Sequence, residues 1–439
     1  MTDIKLKKLK APLKGEIVPP PDKSISHRAA IFAALAKGKS TIKNYLLAGD
    51  TISTLNAVEM LGAGIKGIAK PKKIPGFGTY YEDFTINGKG LFGLREPRDV
   101  IDCGNSGTTM RLLSGLLSGN GFFSVLTGDD SLKSRPMRRV IEPLSKMGAL
   151  ISAREGDRYP PIAIKGGGLK GIRYQMPVAS AQVKSALILA GLYAKGKTEI
   201  LEPAPSRDHT ERMLSSMGAG IKVKGNHISV KAGKDLSPMD ITVPGDFSSA
   251  AFFIVAALVV PGSEILIKNV GVNEKRTGLL QVLERMGAQV EFLNMRTVSG
   301  EPVADIHVRS VPYLKPAEVG REEIPLLIDE VPVLCIAMAV ASGESVIRGA
   351  EELRVKESDR IAAMAYGLKM MGIKVKEYPG GLSIKGGALK GARVKSFGDH
   401  RIAMALSIAA LAAQGKSVIE NADAVNISYP EFYSALRGL

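Results

Sequence analysis

The chain has 439 residues, 45% of them apolar, 5% aromatic, no Trp, two Cys, five His and a net charge of +16. That length exceeds what one hydrophobic core ordinarily holds, so two domains are expected, and the longest apolar run, Ala250 to Val260, is too short to span a membrane. Cys103 and Cys335 cannot build a disulfide framework and the His residues show no metal-ligand spacing, which predicts a cytosolic, metal-free protein.

Ile4-Lys5-Leu6 and Gly15-Glu16-Ile17-Val18 are strand-like and lead into Pro19-Pro20-Pro21. The first helix is expected from the polar start Asp22-Lys23-Ser24-Ile25-Ser26-His27-Arg28, and it ends in the Gly-turn Ala36-Lys37-Gly38. A second helix then closes at Met60-Leu61-Gly62, where Gly permits the left-handed conformation that terminates helices. The same order returns five times. Polar starts stand at Asn105-Ser106-Gly107-Thr108, Ser180-Ala181-Gln182, Asp246-Phe247-Ser248, Asp329-Glu330-Val331-Pro332 and Asp399-His400-Arg401, with Gly-turns at Gly119, Gly196, Gly262, Gly343 and Gly415.

Second helices end at Met147-Gly148, Met217-Gly218, Met286-Gly287 and Met371-Gly372, each followed by a strand pair such as Ile221 to Lys224 and His227 to Val230. The near-regular spacing predicts one βαβαββ unit used six times, a period too long for a solenoid. After Gly415 only one strand and one helix, about Tyr429 to Leu436, remain, so the N-terminal strands are expected to complete the sixth unit. The chain would cross between domains at Pro19 to Pro21 and near Val243-Pro244-Gly245. Residues 22–242 would form one domain, and 1–21 with 243–439 the other.

The polar starts read as N-caps, Asp329 included. Six in register would also turn free backbone N–H groups toward one anion site. Basic residues lie beside them: Lys23, Arg28, Arg111, Lys133, Arg135, Arg138, Arg139, Arg354, Lys356, Arg360 and Arg401. Guanidinium groups bind phosphate and carboxylate through paired donors, so the excess charge points to a small, strongly anionic ligand. Scarce aromatics and the lack of a basic stripe argue against nucleic acid. Like charges facing each other across the domains would favour an open empty state, closed by the anions. His27 and His400 read as helix-start hydrogen-bonders and Cys103 as packing, while the plainer alternative for Glu357 is an i, i+3 ion pair with Arg360 on one helix face.

Lys23-Ser24-Ile25-Ser26-His27-Arg28, Gly104-Asn105-Ser106-Gly107-Thr108, Ser134-Arg135-Pro136-Met137, Arg354-Val355-Lys356-Glu357-Ser358-Asp359-Arg360 and Gly398-Asp399-His400-Arg401 stand in order along the chain. Together they resemble the signatures of the 5-enolpyruvylshikimate-3-phosphate synthase family of enolpyruvyl transferases. The resemblance implies a two-domain inside-out α/β barrel with three units per domain. It implies transfer of the enolpyruvyl group of phosphoenolpyruvate to the 5-hydroxyl of shikimate 3-phosphate, by addition and elimination with domain closure, in a cytoplasmic monomer without cofactor or metal.

Asp329, Glu357 and Lys23 match the catalytic positions. Lys23, Ser24, Arg28, Ser180, Gln182, Asp329 and Lys356 match the shikimate 3-phosphate site, and Lys23, Gly107, Arg135, Gln182, Arg360 and Arg401 the phosphoenolpyruvate site. Two positions depart from the common pattern: Ile427 stands where many members carry Lys, and Ala181 where many carry Ser. The competing readings are the sister transferase acting on UDP-N-acetylglucosamine, whose reactive Cys is missing between Asp129 and Ser134, and a non-catalytic anion- or nucleic-acid-binding protein.

Overall fold

The computed structural model describes residues 2–67, 72–74, 78–80 and 83–439. At five of the six polar starts the expected cap is made: Asp22 accepts from Ile25 N–H, Ser106 from Thr109, Ser180 from Val183, Asp246 from Ser248 and Asp399 from Arg401. These side chains satisfy donors that a helix leaves free in its first turn. The fifth start in chain order differs. Its helix, Val331–Ala339, has Glu330 at the cap position with no side-chain cap bond, and Pro332 removes one free N–H from the first turn. Asp329 is therefore not a cap, and its carboxylate is available for other partners.

The capped helices are buried on nearly every face. All thirteen residues of Phe247–Val259 are buried, as are eleven of the thirteen in Lys23–Leu35. A helix apolar all round belongs inside a core. The helices Gly107–Ser118 and Ala181–Gly191 approach so closely that a Cβ on Gly115 would lie 2.2 Å from the Ala186 carbonyl oxygen. All five Met-Gly helix ends place their Gly at positive φ, from 84° at Gly372 to 107° at Gly148. Among the Gly-turns, Gly119 is the exception, with φ −81°; there the space is filled by the Tyr193 ring, 2.3 Å from where a Cβ would be.

Outside the helices lie six small sheets, one per unit, and among the described residues a two-stranded pair, Lys72–Ile74 with Gly78–Tyr80, lies beside them. In each of the six, the strand that follows the buried helix pairs in parallel with a short strand and antiparallel with a longer one, as Lys197–Leu201 does with Arg173–Gln175 and His227–Lys231. Buried residues fall into two cores, one running from Ile25 to Val243 and the other combining Leu13 and Ile17 with Phe247 to Leu436. The architecture is the expected α/β one, a two-domain inside-out barrel of six repeated units with three around each core.

The N-terminal strands do not both complete the sixth unit. Ile4–Lys7 pairs antiparallel with Lys416–Glu420 there, but Lys14–Ile17 runs parallel to Glu264–Gly271 in the fourth. Conversely, Ile241–Thr242, which precedes the fourth unit's helix, runs parallel to Lys37–Lys43 in the first. The first and fourth units have exchanged their leading strands. The burial of Leu13 and Ile17 in the second core holds this exchange in place. The two crossing segments pair with each other: Asp22 N–H donates to the Pro244 carbonyl and Asp246 N–H to that of Pro20, both at 2.8 Å.

Candidate active site

Lys23 opens the first helix, and its ammonium lies 3.1 Å from Asp50 Oδ2. Its backbone N–H donates to Asp246 Oδ2 at 3.2 Å, a cap belonging to the other core. Arg28, one turn on, is buried with its guanidinium turned inward. It donates to Thr210 Oγ1 at 2.7 Å, Ser185 Oγ at 2.8 Å and the Ser24 carbonyl at 3.0 Å.

Gly107 and Gln182 meet through Arg111. Arg111 Nη1 donates to Gln182 Oε1 at 3.0 Å and to the Gly107 carbonyl at 3.2 Å, while Gln182 Nε2 donates to Thr108 Oγ1 at 2.7 Å. A Cβ on residue 107 would sit 2.5 Å from Arg111 Nη1, so glycine there leaves room for that guanidinium. Arg135 is held by Asn105 Oδ1 at 2.7 Å and Ser131 Oγ at 3.1 Å. Ser180 spends its hydroxyl on a long cap bond, 3.5 Å to Val183 N–H.

Asp329 gathers cations from both cores. Arg207, from the first core, donates to its Oδ2, while Arg360 lies at 3.4 Å, Arg401 at 3.8 Å and Lys356 at 3.9 Å. Although burial raises a carboxyl pKa, Arg207, Arg401, Lys356 and Arg360 together hold Asp329 well below the usual range. Glu357 sits 2.6 Å from Arg360 Nη2 and 3.6 Å from Arg135 Nη1, again across the two cores, and is likewise held low by Arg360 and Arg135 against its burial. The i, i+3 pair with Arg360 forms, but Glu357 precedes the helix Arg360–Met370 instead of sharing a face with it. Arg360 is fixed from behind by Asp399, whose Oδ2 accepts from its Nε at 2.8 Å.

Cross-core contacts are thus between opposite charges: Arg207 with Asp329, Arg135 with Glu357, and Arg139 with Glu352 at 2.5 Å. The expected repulsion between facing cations is offset by these carboxylates. Arg28 and Arg111 are different. Neither has a carboxylate within 4.0 Å among the described residues, and burial lowers their pKa values to about 10 and about 9, the neighbouring Arg139 and Arg135 contributing at Arg111. Carboxylates act on both only from a distance, Glu211 and Asp22 on Arg28 and Glu352 and Glu357 on Arg111, so burial dominates.

The two histidines part ways. His27 Nδ1 bonds Thr54 Oγ1 at 2.7 Å, as a helix-start hydrogen-bonder should. His400 does not: neither ring nitrogen has a hydrogen-bond partner among the described residues. Burial, with Lys23 close by, pulls its pKa down to about 3, so its imidazole is neutral. Cys103 is buried and its thiol is pushed up by desolvation, which makes it inert packing. Ile427 ends a short 3-10 turn, Ala422–Ile427, and supplies no charge.

Sequence reasoning left Asp50 and Arg207 out, and did not place Arg111 in a ligand set. Arg207 carries a readable signal, a cation just before the helix His209–Ser216, in the pattern of Lys23. Asp50 carries none, because only folding brings it to Lys23. Among the described residues no group of His, Cys, Asp and Glu could hold a metal ion, and no helix is long and apolar enough to cross a membrane.

The family model for EPSP synthase (3-phosphoshikimate 1-carboxyvinyltransferase) matches residues 7–436. A 3-phosphoshikimate 1-carboxyvinyltransferase of Thermodesulfovibrio yellowstonii is 55% identical over 436 residues, covering 99% of both chains. One from Syntrophomonas wolfei is 54% identical over 430 residues, covering 98% of this chain and 97% of its own. Among solved structures, EPSP synthase from Acinetobacter baumannii superposes with a TM-score of 0.86 at 43% identity, covering 99% of this chain and 97% of its own. The enolpyruvyl transferase NikO from Streptomyces tendae shares the fold with a TM-score of 0.74 at 18% identity, covering 99% and 96%.

Proposed function

The chain belongs to the EPSP synthase family, and on that premise we infer that it transfers the enolpyruvyl group of phosphoenolpyruvate to the 5-hydroxyl of shikimate 3-phosphate. Phosphate is released, and the product feeds chorismate and aromatic amino-acid biosynthesis. The reaction adds an alcohol across an enol double bond and then eliminates phosphate. It needs a base at the hydroxyl, an acid at the methylene carbon and cations around both phosphates.

Asp329 is the base. The cations around it keep it ionised, and Lys356, Ser24, Ser180, Gln182, Arg28 and Lys23 hold shikimate 3-phosphate beside it. Glu357 serves the methylene. In the empty site Arg360 and Arg135 keep it ionised. Once the phosphoenolpyruvate anion engages Lys23, Gly107, Arg135, Gln182, Arg360 and Arg401, those charges are shared with the ligand, and the Glu357 pKa rises toward that of a proton donor. Lys23, paired with Asp50, is the third member and neutralises charge on the departing phosphate.

The observation that supports this reading best is the mixed charge of the cleft: Asp329 and Glu357 stand among cations of both cores, while buried Arg28 and Arg111 make no direct ion pair among the described residues and feel carboxylates only from a distance. Pure anion or nucleic-acid binding would not favour two carboxylates there. The test is phosphate release from phosphoenolpyruvate with shikimate 3-phosphate or UDP-N-acetylglucosamine as acceptor. Release with the first alone is expected, and release with the second alone would overturn the reading.

One chain supplies every group named, in keeping with a monomer whose partners are small anions, working in the cytoplasm without nucleic acid. The two cores support a division into residues 22–242 and 1–21 plus 243–439, with closure about the crossing segments.

A further inference from the structure

We propose that Arg276 is a positioning residue that sets Lys23 and Asp329, the catalytic groups of opposite domains, relative to each other across the crossing segments. The inference rests on the functional reading above. Arg276 lies in the loop before the helix Gly278–Arg285 and is 2% exposed. Its Nη1 lies 2.7 Å from Asp22 Oδ2 and its Nη2 2.7 Å from Asp246 Oδ1. One guanidinium therefore hydrogen-bonds the cap of the second domain's first helix and ion-pairs with that of the first domain's.

Each cap has further duties. Asp22 Oδ1 accepts from Ile25 N–H at 2.8 Å, while Asp246 Oδ2 accepts from the Lys23 backbone at 3.2 Å. Arg276 Nη2 also donates to Ser248 Oγ at 3.0 Å, and Ser248 in turn donates to Glu330 Oε1. Asp22 precedes Lys23 in the chain and Glu330 follows Asp329. One fixed, planar cation is thus linked to the neighbour of each catalytic group, although the two groups come from different domains.

Without Arg276, two buried carboxylates at the crossing would repel each other, and Lys23 would be anchored to a cap free to shift. Displacement of about 1 Å in a catalytic constellation can cost roughly a hundredfold in rate. A lysine could keep one of the two pairs but cannot span both caps with a planar fork.

The experiment compares Arg276→Lys, Arg276→Met and the double variant Asp22→Asn/Arg276→Met with the unaltered protein, by phosphate release and by thermal midpoint. The Asp22→Asn change keeps a side-chain oxygen to cap Ile25 N–H and removes the repulsion. The expected result is a kcat lowered at least about tenfold in both single variants. In the double variant the midpoint recovers and kcat stays low.

If Arg276 only neutralises charge, kcat recovers with the midpoint in the double variant, and the proposal falls. It also falls if Arg276→Lys keeps full kcat, or if the midpoint does not recover. Should Arg276→Met not fold, the other two variants carry the comparison. An unaltered protein that releases no phosphate would instead overturn the functional reading.

Discussion

Arg207 and Asp329 stand 122 residues apart in the chain and meet across the cleft, where Arg207 Nη2 donates to Asp329 Oδ2. Arg207 is the first of the four cations that hold Asp329 ionised against the cost of burial. The carboxylate we propose as the base thus depends on a cation from the other domain.

Arg207→Ala removes that cation, so the Asp329 pKa rises. The acid limb of the kcat/KM profile should move to higher pH, because the base is then protonated over a wider acid range. An unmoved limb in steady-state kinetics carried down to about pH 3, below the ordinary carboxyl pKa, would show that Arg207 does not act on that carboxylate.

Glu357→Gln keeps the shape of the side chain and removes its proton chemistry. The expected loss in kcat is about 10²- to 10⁴-fold, with a folded protein by circular dichroism. Asp329→Asn should behave likewise. Full activity in either variant would remove that residue from the reaction.

Arg111→Met replaces a buried cation that has no carboxylate partner. KM for phosphoenolpyruvate should rise at least about tenfold, while the thermal midpoint stays level or rises, since an uncompensated buried charge is costly. A large fall in the midpoint by calorimetry would mean that the guanidinium stabilises the empty protein.

Asp329 and Glu357 both have folded pKa values depressed below the unfolded values of about 4. Groups of this kind contribute stability that is present above the unfolded pKa and lost as pH falls toward the folded one. Thermal midpoints should therefore hold from pH 8 to about 5 and fall below that. The Asp329→Asn/Glu357→Gln variant should show a shallower fall over the same range.

Deleting residues 1–18 removes Ile4–Lys7 from the sixth sheet and Lys14–Ile17 from the fourth, together with buried Leu13 and Ile17. The second core should then unfold at lower temperature, and limited proteolysis should cut first after residue 243. An unchanged digestion pattern would contradict the pairing.

Much of this molecule is written locally. A cap is a bond from Asp22 to Ile25 or from Ser106 to Thr109, three residues on, and a Met-Gly end depends on one backbone conformation at Gly148 or Gly218. Adjacent residues specify such features, so the six units, five of their six caps and the motifs that mark the family were legible in the sequence alone. The sixth cap is missing because that start carries Glu330 and Pro332, and the Asp329 carboxylate, already singled out by its motif, serves the cleft instead of the helix.

The leading strands of the first and fourth units were beyond local reading for another reason. Lys14–Ile17 could complete more than one sheet by its own pattern, and the burial of Leu13 and Ile17 in the second core selects Glu264–Gly271. The same holds for Asp50 against Lys23, Arg207 against Asp329, and Arg276 between two caps. The sequence by itself determined the repeated unit and the chemical identity of the site groups. Tertiary packing alone decided which charges meet and which stay unpaired, because those energies depend on distance and burial between residues far apart in the chain.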